Sequence, residues 1–166
     1  MNRFKLFTLS ALFVLCFFAS CDKEDDLHQY PDRSRYISNY DFFLTGSQQI
    51  PSNTSAATGR IEGTYDRRTK VYSYKITWSG LSSAVTGIHI HGLADRGYIA
   101  IPGTYPSGVA SAASGNSTAT SGTFSSTLLV DGMVIKEPDF LAGKFYVDIH
   151  TTNFPNGEIR GQILFP

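Results

Sequence analysis

From residue 37 onward, apolar and polar residues alternate in short runs separated by turn residues. The clearest run is Val71 to Ser79. Tyr72, Tyr74, Ile76 and Trp78 point one way, and Ser73, Lys75 and Thr77 the other. A period of two is that of a β-strand with one buried face. Ala56 to Tyr65 alternates in the same manner, and Asp66-Arg-Arg-Thr69 between the two runs reads as a polar turn. Strands are also predicted over Ile37 to Thr45, Thr86 to Leu93, Tyr98 to Ile101, Thr123 to Val130, Lys144 to Thr151 and Glu158 to Phe165. The last puts Ile159, Gly161, Ile163 and Phe165 on one face. Asn156-Gly157 is a strong turn signal. Lys136 to Ala142 predicts a single helical turn before Gly143, and the Gly/Ser/Ala/Thr-rich stretch 103–122 predicts a surface loop or weak edge. About eight short strands without a long helix predict an all-β fold, an antiparallel β-sandwich or barrel.

The first 36 residues follow a different pattern. Arg3 and Lys5 precede an apolar run from Leu6 to Ala19, too short to span a bilayer comfortably. It ends in Phe18-Ala-Ser-Cys21, which resembles the lipobox of bacterial lipoproteins, with Phe18 where Leu or Val is usual. The resemblance implies that residues 1–20 are a signal peptide and that Cys21 carries lipid. Residues 21–36 then form a polar tether. Within it, Lys23-Glu-Asp25 resembles the signal that sends Bacteroidota-type lipoproteins to the outer face of the outer membrane. Cys16 would leave with the signal, so the mature chain would hold neither a free thiol nor a disulfide. Loss of Arg3 and Lys5 leaves 12 of the 14 basic residues against 14 acidic ones. That balance gives no basic stripe for nucleic acid. Residues 37–166 suffice for one domain with its own core.

Candidate chemistry is concentrated in two of the strands. Gly87-Ile-His-Ile-His-Gly92 places His89 and His91 on one face and Ile88 and Ile90 on the other. Tyr146-Val-Asp-Ile-His-Thr151 places Asp148 and His150 opposite Val147 and Ile149. Pairing of these strands would converge three of the four histidines, and His28 lies far off in the tether. Neutral imidazole is a good ligand for copper and zinc, so His89, His91 and His150 are candidate metal ligands. The same residues also fit a structural network in which Asp148, Glu158 and Arg160 satisfy buried polar groups without any metal. Catalysis would further require an open coordination position or a placed acid/base pair. The chain has no Gly-x-Ser-x-Gly, no phosphate-binding glycine loop and no Cys-x-x-Cys.

Leu44-Thr-Gly-Ser-Gln-Gln-Ile-Pro51, Ala57-Thr-Gly59, the His-Ile-His-Gly core and Gly143-Lys-Phe-Tyr-Val-Asp-Ile-His-Thr151 followed by Asn156-Gly-Glu-Ile-Arg-Gly-Gln162 resemble the CHRD domain. That domain is named after the animal protein chordin and is widespread in secreted bacterial proteins. Asp148 stands where the family often has Asn. There is a looser likeness to copper/zinc superoxide dismutase, in the His-x-His strand, a later strand histidine and an arginine near a glycine in the last strand, here Arg160. Together these imply an immunoglobulin-like or superoxide-dismutase-like β-sandwich of about eight strands. The expectation for function is a non-enzymatic binding or structural module, held at the outer membrane by its lipid and exposed to extracellular protein or glycan partners. The alternative is a copper- or zinc-binding, redox-active domain built on the three histidines.

Overall fold

The computed structural model describes the backbone of residues 35–38 together with residues 43–100 and 119–165. The expected signal peptide, Cys21 and the acidic run, and most of the Gly/Ser-rich stretch lie outside the described residues. Eight strands occur in chain order: β1 (Arg35–Ser38), β2 (Phe43–Thr45), β3 (Thr58–Asp66), β4 (Val71–Ser79), β5 (Val85–His91), β6 (Gly122–Leu129), β7 (Phe145–Thr151) and β8 (Ile159–Ile163). One short helix, α1 (Glu137–Leu141), lies where the helical turn is expected, with Pro138 in its first turn. All pairings are antiparallel, and the strands form a single sheet in the order β5-β7-β8-β2-β3-β4-β6, with β1 beside β3.

This sheet curls around one core. Tyr72, Tyr74, Ile76 and Trp78 of β4 are all buried. Tyr72 meets Phe165, beyond the end of β8, with ring centroids 5.9 Å apart. Two strands separate β4 from β8 in the sheet order, so this contact requires the sheet to close back on itself. Phe140 of α1 plugs the same core against Tyr72, Phe145 and Phe165. The expected all-β antiparallel fold is therefore present as one continuous curled sheet.

Of the strand expected over Ile37 to Thr45, the described residues fall in β1, which reaches Ser38, and β2, which starts at Phe43, and residues 39–42 lie outside the described residues. One expectation needs correction. Of the strand expected over Tyr98 to Ile101, the described residues Tyr98 to Ala100 are not a strand. Asp95 to Tyr98 is a turn closed by Tyr98 N–H donating to the Asp95 carbonyl at 3.1 Å, with Gly97 at φ +84. No sheet neighbour supplies a ladder there. Instead, residues 92–100 cross the outer face of β7 and β8 as a strap tied down by side chains. Gln162 Nε2 donates to the Ala94 carbonyl at 2.8 Å. Arg160 Nη2 donates to the Tyr98 carbonyl at 2.7 Å. The Ala100 amide donates to Tyr146 Oη at 3.3 Å. Tyr98 and Ile99 are both exposed.

Candidate metal centre

Strand β7 runs between β5 and β8, and its register assembles the site. His89 stands opposite Asp148, His91 opposite Tyr146, and Gly87 opposite His150. On the other side Asp148 stands opposite Arg160, and Tyr146 opposite Gln162. The register slips between Val85 and Gly87. Strict alternation would put Val85 on the face of Gly87, His89 and His91. The bulge reverses that parity, so Val85 enters the core while both histidines face outward. Ile88, Ile90, Val147 and Ile149 fill the core side, as the alternation predicts.

The three histidines converge. One ring nitrogen from each of His89, His91 and His150 lies within 4.8 Å of the other two. The closest pair is His89 Nδ1 and His150 Nε2, 3.1 Å apart. The proton positions follow from the partners. His150 Nδ1 lies 2.9 Å from the Pro155 carbonyl oxygen, and a carbonyl only accepts. Nδ1 therefore carries the proton and Nε2 presents a lone pair, to which His89 Nδ1–H donates. Gly87 makes room for this pair, since a Cβ there would lie 3.0 Å from His89 Nε2. Among the described residues, His91 has no hydrogen-bond partner on either ring nitrogen. Its ring packs on Tyr146 and edge-on to His89.

Burial favours the neutral form of two of the imidazoles, His89 and His91. Burial lowers the His91 pKa to about 4, helped by His89, His150 and Arg160. Burial and the neighbouring His150 lower that of His89. A neutral ring offers the lone pair a metal needs. Zinc–nitrogen bonds of about 2.0–2.1 Å space tetrahedral donors about 3.3 Å apart. The 3.1 Å pair is close to that spacing, and a metal would take the place of the hydrogen between the rings, with the His89 proton moved to Nε2. The His150 Nδ1–H bond to a backbone carbonyl is the kind of outer contact that fixes the tautomer of a metal-binding histidine.

The carboxylates divide into two groups. Asp148 belongs to the histidine face, with Oδ2 3.8 Å from His150 Nε2. Its Oδ1 accepts a hydrogen bond from Gln49 Nε2 at 2.6 Å. Burial pushes its pKa up, opposed by His150, Gln49 and Arg160. Arg160 stands beside it but makes no ion pair within 4.0 Å among the described residues. Its guanidinium lies 3.5 Å over the Tyr146 ring and holds the strap. Glu158 is fully buried elsewhere, at the Ser55, Ser82 and Thr151 junction. Four donors surround it: Ser55 Oγ at 2.7 Å, Ser82 N at 2.8 Å, Ser82 Oγ at 2.9 Å and Thr151 Oγ1 at 2.7 Å. Burial raises its pKa, and these hydrogen bonds overcome that and leave it lowered. Its oxygens are occupied by backbone and hydroxyl donors, so its role is to join loops.

Sequence reasoning did not single out Gln49, Tyr146 or Gln162. Gln49 comes from a loop almost a hundred residues before its partner. Tyr146 and Gln162 could have been read from strand parity, since both share the face of Asp148 and Arg160.

The CHRD domain family model matches residues 40–163. No curated protein and no solved structure matches the chain. The match spans β2 to β8 and includes every residue of the histidine face, and on it the chain belongs to the CHRD domain family.

Proposed function

We propose that this CHRD domain is a non-enzymatic binding module displayed at the cell envelope, and that its histidine face binds a transition metal, copper or zinc. One observation carries the metal reading. Three imidazoles converge to within 4.8 Å, and among the described residues none donates to a carboxylate within hydrogen-bonding distance. A purely structural network supports its members with hydrogen bonds, as Glu158 does for its loops. His91 lacks any such bond, which favours a ligand over a network. Display at the outer membrane rests on the lipobox-like Ala19-Ser-Cys21 and the acidic run behind it. An extracellular protein or glycan is the partner class open to such a domain.

Titration of the purified mature domain against a chromophoric chelator tests the metal reading. The expected result is one equivalent of copper or zinc held by the wild type. Affinity should fall about tenfold or more on His→Ala at position 89, 91 or 150, with the circular dichroism unchanged. Equal affinity in a double-histidine variant would reject the site.

A further inference from the structure

We propose that Asp148 is the fourth ligand, so that the site is a His3Asp set holding a divalent cation. This rests on the metal reading above. Asp148 lies on the outer face of β7, two residues before His150 and directly opposite His89. It is therefore flanked by two of the three imidazoles. Its Oδ2 is 3.8 Å from His150 Nε2, about half an ångström beyond the spacing of tetrahedral donors.

The hydrogen bonds of Asp148 leave that oxygen free. Oδ1 accepts from Gln49, whereas Oδ2 accepts no hydrogen bond from any described residue, although Asp148 is only 6% exposed. An oxygen this close to an imidazole and free of protein donors is open to a cation. The nearest cation across the ladder, Arg160, turns away to the Tyr146 ring and the Tyr98 carbonyl. Oδ2 lies next to His150 Nε2 with no donor of its own, outside the set of three mutually close imidazole nitrogens, and a turn of the carboxylate towards that set would complete a coordination sphere. Gln49 would then act on the other oxygen and hold the carboxylate to single-oxygen binding, as outer contacts commonly orient metal ligands. Gly157 supports this arrangement, because a Cβ there would overlap both Asp148 Oδ1 and Gln49 Nε2.

A carboxylate among the ligands sets the kind of ion. Three neutral imidazoles leave the charge of the ion uncompensated, with Arg160 close by. One carboxylate offsets part of it. A hard oxygen donor favours Zn(II), Co(II) or Cu(II) over Cu(I), which prefers softer ligands.

Cobalt(II) is the probe. Wild type and the variants Asp148→Asn and Asp148→Ala are loaded with Co(II), and visible spectra are recorded with and without azide. The wild type should show intense tetrahedral bands that azide leaves unchanged. The Ala variant should bind Co(II) about tenfold or more weakly, and azide should shift its bands by entering the vacated position. The Asn variant, which keeps an acceptor for Gln49, should fold normally and lose affinity through lost charge. Identical spectra and affinities in all three proteins would overturn the assignment of Asp148, as would azide binding to the wild type. Failure of the wild type to bind cobalt would overturn the metal reading itself, a separate result.

Discussion

Single residues determine what each polar group on this domain does. His91 takes up a proton near pH 4 in the fold and near 6.5 in the unfolded chain. Between these values the unfolded state binds more protons, so stability must fall as pH drops from about 6.5 towards 4. His89 acts in the same direction. The melting temperature of the metal-free domain should therefore decline through this window, and less steeply in His91→Phe. Superimposable pH profiles for the two proteins would contradict the burial argument. Glu158 behaves in the opposite chemical sense but with the same pH sign. Its lowered pKa stabilises the fold above about pH 4.5, and this contribution is lost on further acidification. Glu158→Gln turns an amide donor towards hydroxyl and backbone donors. It should cost about 2–4 kcal/mol in urea unfolding. A cost below 1 kcal/mol would mean that the four hydrogen bonds around it contribute little.

Among the elements, the bulge in β5, the turn at Gly157 and the strap 92–100 position the site. Gly157 sits at φ +112, where a side chain is strained and would also strike Asp148 and Gln49. Gly157→Ala should destabilise the domain by about 2–3 kcal/mol and weaken metal binding as well, measured by thermal unfolding and chelator competition. Wild-type values for both would remove Gly157 from the account. Much of this scale was legible in the sequence. The alternation in Val71 to Ser79 predicts the buried aromatic face, and the two histidine strands pair as their patterns require. Three features were not legible, each for a physical reason. The bulge at residue 86 is a matter of register between strands, which one strand's periodicity does not contain. The strap resembles a strand because Tyr98 and Ile99 are large and apolar, but it has no strand ladder and is held by side chains of β7 and β8 and by the Ala94 amide donating to the Lys144 carbonyl. Gln49 reaches Asp148 only because β2 lies beside β8 in the sheet, a long-range pairing that local pattern does not reveal.

For the whole molecule, the curled sheet presents its most unusual chemistry on an outer face, at one edge of the strand order. That suits a module meeting a ligand from solvent. Among the described residues no helix is long and apolar enough to cross a membrane; the proposed envelope attachment rests on lipid at Cys21. Cys21→Ala should release the domain from membranes into the soluble fraction. External protease should remove the wild-type domain from intact cells, and protection of the domain would contradict surface display. The central claim is that a metal sits among His89, His91 and His150, and anomalous diffraction locates such an ion directly. Crystals of the zinc- or copper-loaded domain, measured on both sides of the metal absorption edge, should give one strong anomalous peak between the three imidazole rings. A peak elsewhere, or none among those rings in metal-saturated crystals, would contradict it.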